Sequence, residues 1–280
     1  MEVIKRFSVY KFTDETDMTF NPTDYSMFKF GANSISRKFG NTLAKKFINS
    51  VNFQEILKNL NNNPEKRIVV LSSPYVYIPT ATFAMKDYFI RTINDKLIEL
   101  GQMPVIETKI YRRSSYNSDY GEMTKAQRFN VMKNDIFHVD KFIVENNICI
   151  YLDDIVITGA HEHRIQQMIK KYNINADNYF LYYAELINHE TNPVIENYLN
   201  YHFVKNLNSI DWIIKNDEFK MNTRSVKYIL NATTEDCKTF LLKQKQTFLY
   251  KLYSNAIGNN YHTLEAFKTN ITLLKSMITK

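Results

Sequence analysis

Cysteine is nearly missing from this 280-residue chain: Cys149 and Cys237 are the only two, at no metal-ligand spacing. That excludes a disulfide framework and a zinc module, and predicts two buried, inert thiols. Glycine and proline are also scarce, six of each, which excludes collagen-like, linker and mucin-like compositions and gives each Gly beside a polar cluster more weight as a turn marker. No apolar run approaches the roughly 20 residues that cross a bilayer, and the stretch from Met1 to Phe7 carries no apolar block of the signal-peptide kind. A soluble, cytoplasmic protein without a membrane partner is expected. The Gly-x-Ser-x-Gly elbow, the Gly-rich Walker loop and the His-Glu-x-x-His helix are missing too, and so are internal repeats and low-complexity segments.

What the chain does have is a 44% apolar and 23% charged composition, that of a folded protein. At about 150 residues per domain its length allows one or two domains. Thirty-six basic against 29 acidic side chains leave a net charge of +7, which favours anionic partners such as phosphates, nucleic acid or acidic lipid. The basic residues form doublets at Lys45-Lys46, Arg112-Arg113 and Lys170-Lys171, with no longer run and no nucleic-acid module. Association with nucleic acid is therefore expected to be weak, salt-sensitive and non-specific at most.

Periodicity divides the chain into three parts. Residues 1–66 read as a strand over 3–12, a polar loop and helices over 33–50 and 53–61, with Ile35, Phe39, Leu43 and Phe47 forming one apolar stripe. Residues 67–190 alternate short apolar strands at 68–71, 105–110, 148–152 and 179–183 with helices at 81–100, 124–134 and 162–172. Such alternation predicts an α/β fold with a parallel sheet whose strands are apolar throughout because both faces are covered. Residues 191–280, opening on Asn192-Pro193 as a helix start, read as a helical C-terminal region in which Leu264, Phe267, Ile271, Leu274 and Ile278 share one face.

The stretch Ile148-Cys-Ile-Tyr-Leu-Asp153-Asp154-Ile-Val-Ile157-Thr158-Gly159-Ala160-His161 carries the chemistry. Two carboxylates at the carboxyl end of a parallel strand face the crevice where α/β sheets bind ligands, and they can accept hydrogen bonds from vicinal hydroxyls. The small-residue turn that follows lets backbone N–H groups approach an anion at the positive end of a helix. A diol and a phosphate bound one turn apart describe a ribose 5-phosphate.

This stretch resembles the phosphoribosyl pyrophosphate (PRPP) signature of the type I phosphoribosyltransferases, with His161 where that family usually has a hydroxyl residue. The segment Ser72-Ser73-Pro74-Tyr75-Val76-Tyr77-Ile-Pro is similar to the pyrophosphate loop of orotate phosphoribosyltransferases, which have Lys where this chain has Val76. The run from Thr124 to Phe137, with Arg128-x-Asn130, resembles the ComF-like branch, as found in tellurite-resistance-type operons, and Phe28-Lys-Phe-Gly31 and residues 222–227 are similar to the flanks of that subgroup. The resemblance implies a type I phosphoribosyltransferase-like parallel sheet with flanking helices, with residues 1–66 as the candidate hood and 67–190 as the core. It implies a Mg²⁺-dependent transfer of ribose 5-phosphate from PRPP to a small, nucleobase-like acceptor; a homodimer stays open. Asp153 and Asp154 would orient the ribose hydroxyls, directly or through the waters of the metal. Residues Ile157, Thr158, Gly159, Ala160 and His161 would hold the 5-phosphate, and Ser73, Pro74, Tyr75, Val76 and Tyr77 the pyrophosphate. Arg112 and Arg113, in the polar stretch after the 105–110 strand, would clamp the leaving pyrophosphate as bidentate donors.

Two other readings compete. A PRPP-binding regulator without catalysis is favoured by Val76. Tyr151-Leu-Asp-Asp154 also resembles the Tyr-x-Asp-Asp hairpin of reverse transcriptases, whose aspartates hold two metal ions, although the strand at 68–71 leads into Ser-Ser-Pro and offers no further carboxylate.

Overall fold

The computed structural model describes residues 5–112, 136–188 and 190–278. In chain order the strands are β1 (Lys5–Phe12), β2 (Ile68–Ser72), β3 (Ile106–Thr108), β4 (Tyr111–Arg112), β5 (Phe137–His138), β6 (Ile148–Val156) and β7 (Asp177–Leu186). β4 and β5 pair antiparallel as a small ribbon, while the other five form one sheet in the order β1-β7-β6-β2-β3 with every neighbour parallel.

The helices flanking the sheet are α1 (Pro22–Lys29), α2 (Asn33–Ile48), α3 (Val51–Asn62), α4 (Ala81–Glu99), α5 (Lys141–Val144) and α6 (Ala160–Lys171). Strand side chains alternate between the two faces. Val70, Ile150 and Leu181 pack with Phe39, Leu43 and Phe89 of α2 and α4, whereas Val69, Tyr151 and Phe180 pack with Ile165 and Met168 of α6. Coverage on both sides explains why all five residues of β2 are buried and apolar up to Ser72. The rest of the chain is helical: α7 (Ile195–Asn200), α8 (Leu207–Asn216), α9 (Thr223–Leu230), α10 (Thr234–Leu241), α11 (Gln246–Gly258) and α12 (Glu265–Ile278). These helices enclose a second core in which Phe267, Ile271, Leu274 and Ile278 meet Val226, Ile229 and Leu252.

Four local features depart from the sequence expectation. The polar loop before residue 33 contains α1, capped by the Asn21 side chain, which accepts from the Thr23 and Asp24 N–H groups, with Pro22 at the first helical position. The similar pair at Asn192-Pro193 instead forms a turn in which Asn192 accepts from the Val194 N–H, and α7 begins at Ile195. The strand expected at 105–110 is shorter, because β3 is an edge strand with β2 alone to pair with. β6 runs past residue 152 to Val156, since β7 continues beside it and sets Asp153 opposite Tyr182 and Val156 opposite Glu185. The helix expected at 124–134 lies outside the described residues.

The close crossing of α2 and α4 depends on Gly40, where a Cβ would stand 2.3 Å from the Met85 carbonyl oxygen and 2.9 Å from the Tyr88 Cβ. Backbone on the far side cannot yield as a flexible side chain would. Gly40→Ala is therefore expected to cost about 1–3 kcal/mol through overpacking. The check is a lower urea midpoint at unchanged denaturant slope.

Candidate functional site

β2 and β6 are neighbours and run parallel, so their carboxyl ends open on one edge of the sheet. A cavity of about 120 Å³ lies there, lined by Ser73, Thr82, Asp153, Asp154, Glu196 and the turn 157–161. Adjacent strand residues point to opposite faces, and the acid pair accordingly divides its partners. Asp153 leans toward α6: its Oδ2 is 3.1 Å from His161 Nδ1, and its Oδ1 accepts the Asp154 N–H at 3.0 Å and the Thr82 hydroxyl at 3.2 Å. Asp154 leans toward α1, where its Oδ2 accepts the Tyr25 hydroxyl at 2.7 Å and the Lys29 ammonium at 2.5 Å.

The two carboxyls also differ electrostatically. Burial works against ionising Asp154, yet the Lys29 charge, together with hydrogen bonds from Asp153, Lys29 and Tyr25, holds its pKa down at about 2. Asp153 is pushed above the ordinary carboxylate value by burial and by the neighbouring Asp154 charge, against the lowering effect of the His161 hydrogen bond. One acid is thus held as an anion by the protein itself, while the other, beside His161, is shifted toward its protonated form.

Gly159 precedes α6 with φ +70° and ψ 8°, the left-handed region that L side chains rarely adopt, and nothing lies within 4 Å of the place a Cβ would take. The turn therefore exposes backbone at the start of α6, where the N-terminal end of the helix dipole favours an anion. That helix start is fixed from behind. Glu162, almost fully buried, accepts two hydrogen bonds from the Arg6 guanidinium at 2.9 and 3.0 Å and one from the Tyr182 hydroxyl at 2.7 Å, and Arg6 also reaches Glu185 at 2.7 Å.

The segment after β2 divides in two. Ser73 enters the cavity, its hydroxyl 2.8 Å from that of Thr80. The tip turns into the helical region instead: the Tyr77 and Ile78 N–H groups both donate to Asn259 Oδ1 at 3.0 Å, the Thr223 hydroxyl donates to the Ile78 carbonyl at 2.7 Å, and the Ile78 side chain is buried in the helical core. Among the described residues, Pro74, Tyr75, Val76 and Tyr77 do not line the cavity, and neither does Arg112, which lies on β4 opposite Phe137. Arg113, Arg128 and Asn130 fall outside the described residues.

Sequence reasoning missed Tyr25, Lys29, Thr82 and Glu196. Lys29 stood inside Phe28-Lys-Phe-Gly31, a segment noted only for its likeness to a family flank, and the other three carry no local signal. The polymerase reading meets a geometric obstacle: Tyr151-Leu-Asp-Asp154 lies within β6, which is parallel to both β2 and β7, so the motif forms no hairpin.

The family model described as PRTase ComF-like matches residues 3–274. The chain belongs to the ComF-like phosphoribosyltransferases. The match spans the N-terminal strand and the helical region as well as the sheet, and the five-stranded parallel sheet with flanking helices is the type I phosphoribosyltransferase fold. Among solved structures, this ComF-like phosphoribosyltransferase is similar to the hypoxanthine phosphoribosyltransferase of Trypanosoma cruzi, at 14% identity and TM-score 0.35 over 57% of this chain and 69% of that one. It is similar also to the Staphylococcus aureus enzyme of the same name, at 10% identity and TM-score 0.32 over 55% of this chain and 66% of that one. No curated protein matches the chain. Overlap this shallow distinguishes no acceptor for this ComF-like member. Among the described residues no helix is long and apolar enough to cross a membrane.

Proposed function

We propose that the protein binds PRPP in the crevice at the ends of β2 and β6 and transfers its ribose 5-phosphate to a small, nucleobase-like acceptor. The observation that carries this reading is the meeting, in one cavity, of the Asp153 carboxylate with the Gly159 turn at the start of α6. Asp153 accepts hydrogen bonds from the ribose hydroxyls, and the N–H groups of residues 157–161 hold the 5-phosphate. The bond from C1 to pyrophosphate breaks with its electron pair leaving on the pyrophosphate, and the acceptor's nucleophilic atom bonds to C1. Arg112 and Arg113 are the proposed donors to the departing group. Asp154, whose carboxylate is already engaged by Lys29 and Tyr25, acts by fixing the strand end.

The donor set bears on the metal. Among the described residues no group of three or more Asp, Glu, His or Cys side chains could cage an ion. Asp153, which lines the cavity, would hold Mg²⁺ directly or through water, and the ion would supply charge neutralisation to the leaving group. A non-catalytic PRPP-binding regulator is the second reading, favoured by Val76 and by a loop from Ser72 to Thr80 without a charged side chain.

Calorimetric titration with PRPP and Mg²⁺ tests the site. Binding is expected, and Asp153→Asn should weaken it by about 1–3 kcal/mol, the range for a lost charged hydrogen bond. No binding, or equal affinity in the variant, sinks the assignment. Pyrophosphate release across a screen of nucleobases then separates enzyme from regulator, and names the acceptor.

A further inference from the structure

His161 is the second residue of α6, which starts at Ala160. Side chains on a helix lean toward its N-terminus, so those of the first turn lean back toward the strand end that the chain has just left. The imidazole accordingly returns to Asp153, with Nδ1 3.1 Å from Asp153 Oδ2. With Asp153 ionised, as a reader of hydroxyl groups has to be, the contact is a hydrogen bond that Nδ1–H donates. Phe137 of β5 is 5% exposed and stands edge-on to the imidazole, the ring centroids 6.5 Å apart, which limits how far the ring can swing.

Asp153 is thereby anchored through both oxygens. Its Oδ1 accepts the Asp154 N–H and the Thr82 hydroxyl, and its Oδ2 takes the imidazole. Anchors on one oxygen alone would leave the carboxylate to turn about its last bond, a broad and soft torsion. The second anchor fixes the carboxylate plane, and with it the direction of the lone pairs that the protein leaves unused. Asp153 and His161 both line the cavity, so that direction is set for whatever binds there.

We propose that His161 is a positioning residue: through Nδ1 it aims the Asp153 carboxylate at the ribose hydroxyls, and so sets the preference of the site for a sugar that bears them. The inference rests on the PRPP reading above. It divides His161 by atom, the side chain serving the sugar through Asp153 and the 5-phosphate being left to the backbone of the turn.

Calorimetry at fixed Mg²⁺ compares the wild type with His161→Ala, His161→Asn and His161→Gln, using ribose 5-phosphate and 2,3-dideoxyribose 5-phosphate, which keeps the phosphate and lacks both hydroxyls. The wild type should favour ribose 5-phosphate by about ten- to hundredfold, the range for hydrogen bonds to a charged group. His161→Ala should lower that preference about tenfold, through weaker binding of ribose 5-phosphate, with the affinity for the dideoxy sugar within about twofold of wild type. Asparagine places an amide N–H near the position of Nδ1 and should restore the preference, whereas glutamine carries its amide out to the position of Nε2 and should not. Equal loss for both sugars, or rescue by glutamine and not by asparagine, means that the side chain holds the phosphate itself; either result overturns the inference and leaves the PRPP site standing. An unchanged preference in His161→Ala overturns it too. A wild type that binds neither sugar, and does not bind PRPP, overturns the PRPP reading and this inference with it.

Discussion

Replacing Lys29 with Met is expected to destabilise the fold by about 3–5 kcal/mol, because it strips the partner from a buried carboxylate. The side chains of Lys29 and Asp154 are 13% and 5% exposed, and the ammonium sits 2.5 Å from Asp154 Oδ2. Methionine preserves most of the stem and its packing, so the loss isolates the charge. Asp154 would then be left with the Tyr25 and Thr82 hydroxyls against its own desolvation. Adding Asp154→Asn removes the stranded charge and should recover much of the loss. The dependence on pH carries a definite sign. In the wild type the Asp154 pKa lies at about 2, below its ordinary value, so its contribution to stability is present above about pH 4 and fades as the pH falls through 2. Without Lys29 burial dominates and the folded-state pKa rises, so acid now relieves the variant by protonating the carboxyl. The gap in stability between wild type and Lys29→Met should narrow as the pH falls from about 7 to 4, read by urea unfolding. A gap that stays constant, together with no recovery in the double variant, would show that the pair contributes shape alone.

The parts of the fold written in local pattern were legible in the sequence. Continuous apolar runs at 68–71 and 148–152 could only be strands covered on both faces, and the Thr158-Gly159-Ala160 turn announced a strand-to-helix junction because Gly is at home at φ +70°. The partners of those residues were not legible. Asp153 and Asp154 are adjacent in the chain, and sequence suggests one shared task, yet the pleat sends them to opposite sides, and Tyr25 reaches Asp154 from 129 residues away. The Tyr-x-Asp-Asp likeness to reverse transcriptases failed for a related reason: four residues do not encode whether the neighbouring strands run parallel. α1 was within reach, since Asn21-Pro22 has the cap and first-turn proline that were read as a helix start at Asn192-Pro193. The loop after β2 was read as one ligand-facing unit. Ile78 looked like any apolar loop residue, and nothing local says that its side chain belongs to the core of helices more than a hundred residues later.

That last placement leads to the second large effect: Asn259→Ala should free the tip of the loop and cost about 2–4 kcal/mol. A single carbonyl, Asn259 Oδ1, accepts both the Tyr77 and the Ile78 N–H groups, and each donor left without a partner costs about 1–3 kcal/mol. The tip has no easy substitute. Ile78 is fully buried, and Gly258 passes so close to the Tyr77 ring that a Cβ there would meet ring carbons at 2.4–2.6 Å, leaving no room for the loop to settle differently against α11. Thr223 still holds the Ile78 and Pro79 carbonyls, so the loop should open at its amides while staying attached at its carbonyls. Hydrogen exchange reads this directly: the Tyr77 and Ile78 amides should exchange about ten- to hundredfold faster in Asn259→Ala, with the amides of β6 protected as before. The binding consequence follows from the geometry. Ser73 lines the cavity at the other end of the same loop, whereas the Asp153 and Gly159 side of the site is carried by β6 and α6. PRPP affinity should therefore fall in Asn259→Ala while ribose 5-phosphate affinity holds. Uniform loss of protection across loop and strand, or parallel loss of both ligands, would mean that Asn259 stabilises the whole chain and has no particular hold on the loop.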